Sequence, residues 1–249
     1  MRYLTIQVVS RKGTGMVSKA LLKEAAELLP SLPGTDFVEV KKFIEKNLRF
    51  NSSVTRQRYT TYITKYLFPS GVVDEEILLF SRKVKMQSIK NVCLFRFCKS
   101  YPLMYQLFNN ILIPKINSGQ IIRKNIDLYL KKMFPNNSPG RFGGRGFIEA
   151  LSDANVIKNE KGLIKYGYRN VDIPSFAFMI YSEFNTPGMY DISKVEENDV
   201  FLSQFWKKAD LLNSLYIMRD NNHLSKVSEI DGLRQFTTKY NLMTLVKKI

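Results

Sequence analysis

Apolar residues recur at helical spacing through most of this 249-residue chain. Over 17–29, Val17, Leu21, Leu22, Ala25, Leu28 and Leu29 share one face of a run of strong helix formers. That predicts a helix ended by Pro30 and the Pro33-Gly34 turn. Thr35 or Asp36 caps a second helix reaching Leu48, with Val40, Phe43 and Ile44 as its stripe. A third opens at Asn51-Ser52-Ser53 and runs to Leu67. Its Tyr59, Tyr62, Ile63 and Tyr66 face one way, its Arg56 and Lys65 another. Asp74-Glu75-Glu76 opens a fourth, to Met86, and a fifth covers 89–98. The pattern breaks at Tyr101-Pro102, resumes over 103–113, and gives a further helix over 120–134. Such helices with short joins predict an α-helical bundle.

The stretch Pro135-Asn136-Asn137-Ser138-Pro139-Gly140-Arg141-Phe142-Gly143-Gly144-Arg145-Gly146 holds two Pro and four Gly in twelve residues, and it reads as a loop or linker. It divides the chain into a domain over 1–134 and another over 135–249. A helix is expected over 147–157. Lys158 to Gly162 then reads as a hairpin turn between Val156-Ile157 and the strand beginning at Leu163. Helix, turn and hairpin are the closing parts of a winged helix. The expected fold is therefore mainly α: a helical bundle, then a winged-helix-like region with a short β-hairpin and a helical C-terminal extension. Beyond 171, Thr186-Pro187-Gly188 is a turn, and helical patterns cover 200–210, 211–218, 224–230 and 234–246. A second helix-turn-helix-like unit is a candidate around 211–240, and no repeat is evident at solenoid periods.

Charge sharpens this picture. There are 38 Lys+Arg against 22 Asp+Glu, a net of +16, and a polyanionic partner would relieve the self-repulsion. Residues 1–134 hold 23 basic and 9 acidic residues, a net of +14, whereas 171–249 sit at −1. The polyanion reading belongs to the first half and the stretch just after 135.

Two constellations fit a nucleic acid. At the start of the third helix, Ser52, Ser53 and Thr55 suit a helix cap or a phosphate, and Arg56, Arg58 and Lys65 add positive charge. In the second, Arg141, Arg145, Lys158, Lys161, Lys165 and Arg169 would line a duplex backbone, which positions without specifying. The abundant Tyr and Phe fall mostly on apolar faces and read as core.

Other chemistry is poorly supplied. Cys93 and Cys98 lie five apart in a helical run, so their thiols diverge and a disulfide is not expected. Two Cys and the single His223 make no standard zinc site. Gly143-Gly144-Arg145-Gly146 lacks the Lys-Ser/Thr ending of a phosphate-binding loop, and Gly13-Thr14-Gly15 completes no dinucleotide motif. The expectation is a non-enzyme with no cofactor, metal or small-molecule substrate. No signal peptide or membrane span is legible, which predicts a cytoplasmic protein.

Several segments resemble the BrxA family, small proteins encoded in bacterial BREX bacteriophage-exclusion systems. The likeness spans roughly 15–165. It rests on Met16-Val17-Ser18-Lys19-Ala20-Leu21-Leu22-Lys23-Glu24, the 40–48 segment, Asn51-Ser52-Ser53-Val54-Thr55-Arg56-Gln57-Arg58, Phe95-Arg96-Phe97-Cys98-Lys99-Ser100-Tyr101-Pro102-Leu103, and the 147–157 helix. It implies an N-terminal helical domain similar to the antitermination factor NusB, a following winged helix, double-stranded DNA binding, and a part in phage defence beside other defence proteins. The residues themselves leave two other functions open: an RNA-binding or antitermination-type adaptor, and a protein-interaction scaffold with a basic surface.

Overall fold

The computed structural model describes residues 19–135, 139–230 and 232–249, without the side chains of 139–142. Gly13-Thr14-Gly15 and the first two residues of the helix expected over 17–29 lie outside the described residues. Five helices begin the fold: α1 (Leu22–Leu28), α2 (Phe37–Asn47), α3 (Ser53–Leu67), α4 (Glu75–Lys83) and α5 (Met86–Ser100). Local capping sets two of these starts. The Asp36 carboxylate accepts from the Glu39 N–H at 2.8 Å, and the Ser52 hydroxyl accepts from the Thr55 N–H at 3.4 Å. Helix α5 buries Ile89, Val92, Cys93, Leu94, Phe95, Phe97 and Cys98, which spread around its circumference, so it sits in the interior. Helices α1 and α3 pack against it. Both thiols are free and buried, as their spacing predicted.

From Leu103 the chain builds a unit of different design. Helix α6 (Leu103–Leu107) continues through a π segment (Phe108–Leu112) and a 3-10 segment (Ile113–Ser118). Then come β1 (Gln120–Ile122), α7 (Arg123–Met133), α8 (Pro139–Asp153), β2 (Ile157–Glu160) and β3 (Leu163–Tyr166). The sheet is antiparallel with order β1-β3-β2. Helix, strand, two helices and a hairpin, with the last strand in the middle, is the topology of a winged helix.

Three sequence expectations are corrected here. Gln120–Ile122 is a strand, not the first turn of a helix. Ile121 is buried while its two neighbours are exposed, and that short alternation is hidden inside a longer helical pattern. The hairpin turn is also tighter than expected. Lys158 to Glu160 belong to β2, and only Lys161 (φ 50°) and Gly162 (φ 88°) turn, both left-handed as a two-residue hairpin requires. The glycine-rich stretch is mostly helix, because α8 begins at Pro139. A Cβ on Gly144 would stand 3.1 Å from Leu130 Cδ1 and 3.2 Å from Asp127 Oδ1, so the glycine lets α8 approach α7 closely. The boundary drawn at 134/135 thus falls between two packed helices, and the pairing of β1 with β3 crosses it.

The same plan follows again, with three helices in place of two between the first strand and the hairpin. Helix α9 (Ile173–Glu183), β4 (Met189–Asp191), α10 (Ser193–Glu196), α11 (Asp199–Leu202), α12 (Lys208–Asp220), β5 (Leu224–Ile230) and β6 (Leu233–Thr238) form a second sheet of order β4-β6-β5. Details coincide. The wing glycines Gly162 and Gly232 (φ 80°) lie about 70 residues apart. Helix α8 ends on left-handed Asn155 with Val156 N–H donating to Leu151 O at 2.8 Å. Helix α12 ends on left-handed Asn222 with His223 N–H donating to Met218 O at 2.7 Å. The second helix-turn-helix-like unit expected around 211–240 is instead most of α12 and a β-hairpin, the closing part of this winged plan.

The helices expected over 224–230 and at the start of 234–246 are instead β5 and β6. A bulge between Leu224 and Lys226 adds a residue, so buried Leu224 and Val227 sit three apart and imitate a helical period. Helix α13 (Leu242–Lys248) closes the chain against α4 and α9, where Lys83 Nζ donates to the carbonyls of Val246 (3.0 Å) and Lys247 (2.8 Å). The two winged units share packing too: Phe108 meets Phe147 and Phe205, each edge-on at 5.5 Å.

Candidate nucleic-acid interface

The first wing gathers Lys158, Lys161 and Lys165, three of the six basic residues singled out in its unit. Lys158 and Lys165 are direct cross-strand partners, with Gln120 on the other side of Lys165. All three are exposed and point away from the core face formed by Ile121, Ile157, Ile164 and Tyr166. Two lysines directly opposite repel each other by a few tenths of a kcal/mol. Glu160 offsets part of this, its carboxylate lying 2.6 Å from Lys165 Nζ. That contact holds the Glu160 carboxyl below its ordinary range. Lys158 and Lys161 enter no ion pair among the described residues. The wing is held rigidly, since Arg123 N–H donates to Gly162 O at 2.8 Å and Tyr166 Oη donates to Leu112 O at 3.0 Å.

Helix α8 is the last helix before the hairpin of this unit. Arg145 is exposed on it, next to buried Gly144 and Gly146. The side chain of Arg141 lies outside the described residues. The later turns of α8 are not free. Asp153 Oδ2 accepts from the Lys23 N–H at 3.2 Å, and Glu149 accepts from the Ala20 N–H, so both carboxylates serve the start of α1. Burial pushes both carboxyls above their ordinary range. These residues were missed in the sequence; two acids four apart in the second half of a helix that otherwise carries only basic charge were the available signal.

The α3 constellation lies elsewhere. Helix α3 packs on α2 and α5, and Ser52, Ser53, Arg58 and Lys65 are exposed there, with Thr55 half-buried. Arg56 is committed to the fold, its Nη1 donating to Phe50 O (2.7 Å) and Asn51 O (3.1 Å). Arg58 lies over the Tyr59 ring at 5.1 Å and Lys65 over the Tyr101 ring at 5.6 Å. Arg169, expected on the backbone-facing surface, is instead drawn inward: its Nη2 donates to Asn91 Oδ1 at 3.0 Å and its N–H to Phe205 O at 2.9 Å.

Other candidate chemistry is sparse. Among the described residues no group of three or more His, Cys, Asp and Glu could hold a metal ion. His223 is half-buried, burial lowers its pKa, and its carbonyl accepts from Tyr181 Oη. A cleft of about 460 Å³ is lined by Asp74, Arg96, Lys99 and Asn241. Its two cations are already paired, Arg96 with Asp74 at 2.9 Å and Lys99 with Glu183 at 2.7 Å. Among the described residues no helix is long and apolar enough to cross a membrane.

No protein-family model matches the chain, and no curated protein does. Among solved structures, the SspB crystal structure is similar in fold. The TM-score is 0.57 at 8% sequence identity, over 94% of this chain and 87% of that one. At so low an identity the likeness extends to fold alone, and the fold is mainly helical with two small antiparallel three-stranded sheets.

Proposed function

We propose that this chain is a non-catalytic double-stranded DNA-binding protein of a bacterial phage-defence system, with the first winged unit as its contact. One observation carries the DNA reading: an exposed wing presents Lys158, Lys161 and Lys165 beside a reading helix that presents Arg145. Lysines on a rigid hairpin would neutralise phosphates, and the first turns of α8 would meet the groove. The part in phage defence rests on the resemblance of the sequence segments alone.

Salt titration of binding to a random 30-base-pair duplex tests the reading, with single-stranded DNA and a structured RNA as competitors. Affinity should fall steeply with salt as counterions are released. Reversing Lys158 and Lys161 together to Glu should weaken binding at least about tenfold and lower the salt slope by about 2. Lys165 is left in place so that its pair with Glu160 survives. Undiminished affinity in the folded double variant would refute the wing assignment. Preferential competition by RNA would favour the adaptor function, and no binding to any nucleic acid would favour the scaffold.

A further inference from the structure

Two units of one topology could both grip a polyanion, and the strand registers allow them to be compared position by position. In the first wing, the buried pair Ile157↔Tyr166 is followed toward the tip by Lys158↔Lys165. In the second, the buried pair Val227↔Phe236 is followed by Ser228↔Gln235. The third strand continues each row, with Gln120 beside Lys165 and Asp191 beside Gln235. The row Gln-Lys-Lys thus becomes Asp-Gln-Ser at the same places.

The tips diverge as well. Glu160↔Leu163 at the first turn corresponds to Ile230↔Leu233 at the second, where both side chains are more than half exposed (60% and 64%). The whole units follow suit: 103–170 contain 11 basic and 4 acidic residues, and 173–240 contain 7 and 9. The second wing's Arg234 is also occupied, forked onto Glu196 at 2.7 and 3.0 Å and held by Glu229 at 3.0 Å.

We infer that nucleic acid engages the first winged unit alone and that the second has lost the phosphate-contacting row while keeping the fold. This rests on the DNA-binding reading and narrows it. The contact spans one reading helix and one wing, roughly one turn of duplex or about 10 base pairs. Because α1 occupies Glu149 and Asp153, the reading helix contributes only its early turns, which favours sequence-tolerant binding.

Two variants of equal net charge isolate location from overall electrostatics. Lys158→Gln with Lys165→Gln, and Ser228→Glu with Gln235→Glu, each remove two positive units from the net charge. Duplex affinity is measured at two salt concentrations, with circular dichroism to show that each is folded. Lys158→Gln with Lys161→Gln is a further variant that spares the Lys165–Glu160 pair. The inference expects about tenfold weaker binding for the first-wing variants and less than about twofold change for the second-wing variant. Equal losses in both wings overturn it and leave DNA binding standing, whereas no loss in either while the parent protein binds overturns it together with the wing assignment. Failure of the parent protein to bind any duplex defeats the broader reading itself, and the inference with it.

Discussion

Gly144 separates a linker from a helix crossing, and its substitution puts a number on the difference. An exposed linker glycine tolerates any small side chain to within about 0.5 kcal/mol. At the observed crossing two opposing terms act. Replacing a helical glycine stabilises by about 1 kcal/mol for Ala and about 0.4 for Val. Against this, a Cβ meets Leu130 Cδ1 at 3.1 Å, Asp127 Oδ1 at 3.2 Å and Ile126 Cγ2 at 3.4 Å. The first two are ends of flexible side chains, so Ala requires shifts of a few tenths of an ångström and should come out within about 1 kcal/mol of the parent. Val adds two methyls to a filled interface. Overpacking costs about 1–3 kcal/mol, so Gly144→Val should destabilise by about 1–2 kcal/mol after the propensity gain. Urea unfolding followed at 222 nm measures both. A Val variant as stable as the Ala variant would refute the close α7–α8 crossing.

Further outcomes follow from the site and the core. Burial at the start of α1 raises the Asp153 pKa, so the folded state holds that proton more readily than the unfolded chain. The stabilisation is complete below the ordinary aspartate range and is lost as pH rises through the folded-state value. Asp153→Asn should therefore flatten the fall in urea midpoint as pH rises from the ordinary aspartate range. Burial pushes the Cys93 thiol up to about 12 and raises Cys98 also, so neither should react with a thiol reagent at about pH 8 until the protein is unfolded. Fast native labelling would contradict the buried placement of α5. Arg56→Ala removes a charged donor from the Phe50 and Asn51 carbonyls and should destabilise by about 1 kcal/mol. Duplex affinity should change by less than about threefold, and a large loss at unchanged stability would restore α3 as a contact.

Much of the fold was legible where local chemistry sets it. Asp36 and Ser52 cap α2 and α3, because a cap needs only neighbours a few residues away, while Asp74 stands before α4 without a capping hydrogen bond and pairs with Arg96. The hairpin was legible from the 158–162 run, although three of its residues are strand, and Lys158 and Lys165 lie on the exposed face of their strands. Arg56 and Arg169 show the limit of reading charge from sequence. In each, one guanidinium nitrogen donates to an oxygen of the protein: Arg56 Nη1 to the Phe50 and Asn51 carbonyls, and Arg169 Nη2 to the Asn91 amide oxygen. Nothing within a few residues of Arg169 reveals Asn91.

Residue order by itself determined the helical periods of the first hundred residues, the caps at Asp36 and Ser52, and the concentration of positive charge in the first half of the chain. Each depends on a side chain and its near neighbours. Tertiary structure decided the rest. A glycine-rich run became a helix because α7 offered a surface to approach. A helical period became a bulged strand because β6 supplied its hydrogen-bond partner. Two stretches with dissimilar residues took one winged plan. Strand pairing and helix crossing reward shape and burial between segments tens of residues apart, and neither leaves a periodic mark in the sequence of one partner.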